Sequence, residues 1–300
     1  MATESTSDKS KRTARFAPYL MSFPGLLMLF VFFVVPLVTL LRISLSTKPN
    51  RLLPVYNFDW KWSNFSTAFD EFGGQLARGF GYAAVATVFC LLIAYPLAYF
   101  IVFKGGKWRN ILLGLVMIPF FTSFLLRTIA WQSLFADSGI VMGTLRKLHL
   151  VGLLDALHVT ESGRILNTRT AVIGGLTYNF LPFTLLPIYV SLEKVDPKLV
   201  EAAGDLYSGF GRAFRTVIFP LTVPGVFAGT LLTFIPATGD FINAKLLGNP
   251  NTTVIGDVVQ SQFLNRNDYP TAAAISFVLM AIITTLVLVY TRFLGTEDLV

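Results

Sequence analysis

Apolar residues in this chain collect into long runs separated by short polar turns. Six runs carry almost no charge, at 19–41, 79–102, 111–134, 171–190, 217–239 and 271–290. A helix of about 20 apolar residues spans the hydrocarbon core of a bilayer, so each run predicts a membrane-crossing helix. The first run follows Lys11, Arg12 and Arg15 and has no small-x-small cleavage site, so it reads as a retained span and not as a cleaved signal peptide. Residues 1–18 and 295–300 are polar tails. Prolines punctuate nearly every run, at Pro24, Pro36, Pro96, Pro119, Pro182, Pro187, Pro224 and Pro236. They leave two readings open, ordinary kinks or a bundle bent around a cavity that opens and closes. Gly225-x-x-x-Gly229 in the fifth run adds a close-packing face.

One polar stretch has a periodicity of its own. Between the fourth and fifth runs, over 191–216, Asp196-Pro197 gives an N-cap acid and a proline at the first helical position. Leu199, Val200, Ala203, Leu206 and Tyr207 follow at helical spacing as one apolar stripe, with Glu201 and Asp205 four apart on another face. Ser208-Gly209-Phe210-Gly211 ends that helix, and Arg212 to Arg215 opens the next run. A helix made to lie on lipid carries more Lys and Arg and bulkier apolar groups; Glu201 and Asp205 suit a basic protein surface better.

Composition supports the membrane reading. The 300 residues are 54% hydrophobic and 14% charged, with mean hydropathy +0.63, against about 25% charged in a soluble domain. The expected class is an all-α integral membrane protein. The net charge of +7 is scattered through the loops, which points to membrane anchoring and not to nucleic acid. The turn Lys104-Gly105-Gly106-Lys107-Trp108-Arg109 and the tail residues Lys9, Lys11, Arg12 and Arg15 place both termini and the Glu201 loop in the cytoplasm by the positive-inside bias. Cys90 is the single cysteine, so no intrachain disulfide forms. His149 and His158 share one polar loop, and no His-Glu-x-x-His occurs, so no metal centre is expected. Gly106-Lys107 is followed by Trp108 and no phosphate loop is present; the chain is expected to be no enzyme and to bind no cofactor.

Glu201-Ala202-Ala203, with Val217 and Pro220 downstream, resembles the coupling-loop signature of bacterial ABC-importer permeases. The chain departs from that pattern at Tyr207, where the family usually has glycine, and at Phe219, where leucine is common; nearby Gly209 and Gly211 stand in for the missing glycine. Ala94-Tyr95-Pro96-Leu97-Ala98-Tyr99, the stretch from Pro119 to Trp131, Gly239-Asp240-Phe241, Leu246-Leu247-Gly248 and Val258-Val259-Gln260-Ser261-Gln262-Phe263 look like the spermidine/putrescine branch. The resemblance implies a six-span type I importer fold like that of the methionine importer. Its core is spans two to six, and its first span wraps a second permease subunit. It further implies two separate ATPase subunits holding ATP and Mg, an extracytoplasmic substrate-binding protein, and a multi-pass place in the bacterial cell membrane. The residues expected to meet the ATPase are Glu201, Ala202, Ala203, Asp205, Leu206, Tyr207, Gly209, Gly211 and Pro220.

For the pathway, the charges in or beside the spans stand out, since a charge at the bilayer centre costs roughly 2.5–3.5 kcal/mol. Arg127 lies in the third run and Asp240 closes the fifth. The expectations are an Arg127–Asp240 pair at the mouth or an Arg127 that snorkels to the interface. A polyvalent cation calls for carboxylates and aromatic faces, which Asp240, Trp131, Tyr178 and Phe241 supply. Trp60 and Trp62 read as interface anchors. Another small solute (an inorganic anion, ferric iron, a phosphonate or a sugar) and, at greater distance, a passive channel remain alternatives.

Overall fold

The computed structural model describes residues 22–49, 56–157, 159–206 and 209–294. The two tails, the first residues of the first expected span, His158 and Tyr207 lie outside them. Five helices are long and apolar enough to cross a membrane: Ser22–Ser44, Ser63–Lys104, Arg169–Glu193, Gly211–Gly239 and Tyr269–Arg292. Two further helices, Gly106–Phe121 and Phe124–Lys147, bent by 89° at their junction, meet the same length and composition test only when taken together, as one broken span. In chain order these are spans one to six, the broken pair being the third.

Spans two, four and five form the centre, with span four packed against both others. Its apolar window is 61% buried inside the bundle, whereas that of span one is not buried at all. Span one therefore lies outside the bundle, along span six, with Phe23, Met28, Phe32 and Phe33 exposed. Span four meets span five through small residues. A Cβ on Gly225 would fall 2.6 Å from the Pro187 carbonyl oxygen, and one on Gly229 would fall 3.0 Å from that of Thr184. The two glycines thus let the backbones approach closely, and Thr184 and Thr233 hydrogen-bond across the same seam at 2.5 Å.

Two elements differ from the hydropathy reading. The helix of span two begins at Ser63, well ahead of residue 79, because 63–78 is an amphipathic extension. Ala68 and Leu76 bury against Ile255, Val258, Ile275 and Val278, with Phe65 and Phe72 alongside. Asn64 fixes its start, donating from Nδ2 to the Ser44 and Ser46 carbonyls at 2.8 and 2.9 Å. The run 111–134 is not one straight helix. Pro119 lies in a tight turn over Ile118–Phe121, Thr122 and Ser123 are extended, and the Thr122 hydroxyl donates to the Pro119 carbonyl at 2.7 Å. Proline and side-chain back-bonding together break the helix ladder there. Prolines also mark wide π-turns at Phe30–Val34 and Phe214–Ile218. In each, the carbonyl four residues before the proline (Pro36 and Pro220) falls inside the wide turn, which relieves the ring clash.

Candidate functional site

Two regions along span four, its C-terminal end and its middle, carry the polar chemistry. At its C-terminal end the helix Pro197–Leu206 starts as its sequence predicts. Asp196 Oδ1 accepts from the Lys198 amide at 2.9 Å, and its carbonyl accepts from Leu199 at 3.0 Å. Ala203 is buried, and Val200 packs against a cluster of Ala94, Ala98, Ile101, Leu185, Ile188, Tyr189, Leu192 and Ile218. Glu201 and Ala202 are exposed. The apolar stripe is narrower than expected. Among the stripe residues whose side chains are described, Leu199 points outward, 47% exposed, while Val200 and Ala203 reach the bundle.

Asp205 and Leu206 occupy the last turn of this helix, and Gly209 and Gly211 are exposed. Neither glycine has a left-handed backbone or a close neighbour, so the turn does not demand them. The Gly209 carbonyl instead opens the next helix, accepting from Arg212 and Ala213 at 3.1 and 3.3 Å. Pro220 is exposed at the start of the regular part of span five. Arg109, from the turn after span two, pairs with Glu193, donates from Nε to the Tyr189 hydroxyl at 2.6 Å and lies 5.2 Å over the Tyr189 ring. This clamp joins the turn to the last residue of span four, three residues before the Asp196 cap.

Near the middle of span four, Arg127, Trp131 and Tyr178 come together. Arg127 and Trp131 are one helical turn apart and both face Tyr178. The Trp131 and Tyr178 rings meet edge-on at 5.2 Å, and the Arg127 guanidinium carbon lies 4.8 Å from the Phe120 ring centre, 5.9 Å from Phe124 and 6.0 Å from Tyr178. Asp240 and Phe241 stand apart from this group. Phe241 shares no ring contact with it, and Arg127 and Asp240 form no ion pair. The Asp240 carboxylate is instead taken up locally, accepting from the Asn243 amide at 3.0 Å and from Asn243 Nδ2 at 2.9 Å.

A buried polar ladder links the two groups. Asn179 Nδ2 donates to Asn243 Oδ1 and to Thr128 Oγ1, each at 3.1 Å, and Thr128, Asn179 and Asn243 are fully buried. The chain of contacts runs from the bent half of span three through span four to Asp240. Sequence reading missed Thr128, Asn179, Asn243, Arg109, Tyr189 and Glu193. The available signal was Asn179, a lone amide inside an apolar span, which in a membrane marks either a helix–helix bond or a functional position. Beside this group, between spans two, three and four, lies a cavity of about 380 Å³ lined by Phe89, Trp131, Phe135, Thr177 and Tyr178 among others.

No family model matches the chain. It is 36% identical over 264 residues to the spermidine/putrescine transport system permease protein PotB of Haemophilus influenzae, covering 87% of this chain and 89% of that one. Among solved structures it is similar to a bacterial alginate ABC transporter in complex with an alginate-pentasaccharide-bound periplasmic protein, with a TM-score of 0.70 at 15% identity over 96% of this chain and 97% of that one. It is also similar to the MetNI methionine ABC transporter in an inward-facing form, with a TM-score of 0.53 at 14% identity over 73% of this chain and 93% of that one. The chain thus shares the fold of these transporters, and it belongs to the family of spermidine/putrescine ABC transporter permease proteins.

Proposed function

We propose that the chain forms half of the pathway by which a bacterial ABC importer takes up polyamines, and that it is driven by ATPase subunits docking on the Glu201 helix. One observation carries the coupling part. A three-turn helix is fastened by Val200 and Ala203 while its Glu201–Ala202 side is left free, the arrangement a docking element needs. The cargo follows from likeness to a permease named for spermidine and putrescine over most of its length. Carboxylate and aromatic groups at the far end of the bundle agree with a polyvalent cation.

In this reading the Glu201 end faces the cytoplasm, as do both termini, and the Asp240 end receives cargo from an extracytoplasmic binding protein. Two ATPase subunits hold ATP and Mg; a second permease subunit completes the pathway. Their closure moves the Glu201 helix, the Arg109–Glu193 clamp carries the turn after span two with it, and span four conveys the shift to the Asn179 ladder. The chain's own part is mechanical and performs no bond chemistry.

A second reading, an anionic cargo, draws on Arg127, whose buried Nε and Nη1 have no acceptor. Uptake decides between the two. The complex is reconstituted in vesicles with its binding protein and ATP and offered labelled spermidine or labelled phosphate. Accumulation of spermidine alone supports the proposal; accumulation of phosphate alone sinks it. Orientation is tested by thiol labelling. Cys90 is the sole cysteine and is buried, so an impermeant reagent should modify Ala202→Cys in inside-out vesicles and leave it unmodified in right-side-out ones.

A further inference from the structure

Arg127 is held in an unusual way. A charged residue in a span ordinarily pairs, faces water or snorkels to the interface. Inside the bundle Arg127 has no ion pair among the described residues: Nε and Nη1 are buried without an acceptor, although the residue as a whole is only half-buried. It rests instead on three aromatic faces, Phe120 at 4.8 Å, Phe124 at 5.9 Å and Tyr178 at 6.0 Å.

Those rings come from three different segments. Phe120 closes the first half of span three, Phe124 opens the second half across the 89° bend, and Tyr178 comes from span four. The bend therefore folds the cage around the guanidinium, and Phe120 also touches Tyr178 at 5.4 Å between ring centres. Beside it lies a cavity of about 310 Å³ bordered by Phe120, Arg127, Pro182 and Phe183. A ring face attracts any cation, and an ammonium group answers the same quadrupole as a guanidinium does.

We propose that Phe120, Phe124 and Tyr178 form a cation seat that Arg127 occupies in this state and vacates for an ammonium group of the cargo. Arg127 is then a tethered competitor, and it determines whether a cation can rest in the pathway while the seat is closed. The identity of the cargo rests on the polyamine reading above; the seat itself does not.

The test is equilibrium binding to the full complex in nanodiscs, with ATPase and second permease present and the binding protein left out. The probes are labelled spermidine and labelled tetramethylammonium. Arg127→Met should raise binding of both by about tenfold over wild type, the worth of one desolvated cation–π contact. Arg127→Lys should raise neither, and adding Tyr178→Leu to Arg127→Met should abolish the gain. The seat is overturned if Arg127→Met leaves both probes at the wild-type level, if the gain survives Tyr178→Leu, or if Arg127→Met sheds the second permease, which would assign the free N–H groups to that contact. A gain for tetramethylammonium without one for spermidine upholds the seat and removes the polyamine as its occupant.

Discussion

The C-terminal end of span four and its middle use polar residues in opposite ways. At the Glu193 end the charges face outward: Glu201 is exposed on a helix fastened from behind, and Arg109 and Glu193 meet where both remain partly accessible. At the middle the polar groups turn inward. Thr128, Asn179 and Asn243 are sealed from solvent and joined through Asn179 Nδ2, with Asn179 Oδ1 buried without a partner, and Asp240 is taken up by Asn243. An exposed charge on a supported helix serves contact with another molecule. A sealed, mutually bonded set serves geometry, because any member left unpaired in a low-dielectric interior is expensive.

The largest effect is expected from breaking the outward end. Glu201→Arg should weaken binding of the ATPase subunit by about a hundredfold or more, since disrupting a close interfacial charge contact costs ~2–5 kcal/mol. Titration of the purified ATPase onto the reconstituted permease would measure it, and near-normal affinity would remove Glu201 from the interface.

The seam that connects the ends comes next. Gly225→Ala puts a methyl 2.6 Å from the Pro187 carbonyl oxygen and 2.5 Å from Ser191 Cβ, and backbone cannot step aside cheaply. Overpacking of this kind costs about 1–3 kcal/mol, so the melting temperature of the purified protein should fall. Gly174→Ala, in the same seam's central helix but with no atom near its Cβ position, should leave it unchanged. Equal shifts in both variants would contradict the close approach.

Removing the inward ladder should do less. Asn179→Leu leaves Thr128 and Asn243 without their donor, a loss of ~0.6–2 kcal/mol by the worth of such bonds in membrane and soluble interiors. Thermal unfolding of Asn179→Leu beside Asn243→Leu and the double variant would show it. Additive losses would mean the two amides do not act as one network.

The smallest expected effect lies in the loop before span four. Asp155 accepts from the Thr160 hydroxyl and, at 3.2 Å, from the Gly163 amide, and these bonds hold its carboxyl below the usual range. A carboxyl with a depressed folded-state value stabilises the loop above its unfolded-state value and loses that contribution as pH falls through the folded-state one. Hydrogen exchange at the Gly163 amide should therefore lose protection under acid in wild type, and Asp155→Ala, which removes the acceptor, should show the low protection at every pH. A pH-independent wild type would contradict it.

The outward end was largely legible in the sequence because its determinants are local. Asp196-Pro197 caps the helix, and the spacing of Val200 and Ala203 places the buried edge. Leu199 was misplaced because periodicity cannot say how much of a stripe the bundle covers. The inward end was only partly legible. Arg127, Trp131 and Tyr178 stood out as charge and aromatics and do meet, but their partner in the expectation, Asp240, is satisfied three residues away by Asn243. The ladder joins residues 51 and 64 apart in sequence, and no local pattern encodes such a meeting. Hydropathy also hid the bend at Thr122–Ser123, since its window averages over an apolar sequence that stays apolar through the break.

In the proposed function the Glu201 helix couples ATP hydrolysis to movement of cargo. This coupling is tested most directly by measuring spermidine uptake and ATP hydrolysis in the same vesicles, with wild-type and Glu201→Arg permease. The expected result is uptake that follows hydrolysis in wild type and falls to background in the variant while the variant still inserts. Uptake by the variant at the wild-type rate, or wild-type uptake that proceeds without ATP, would contradict the account.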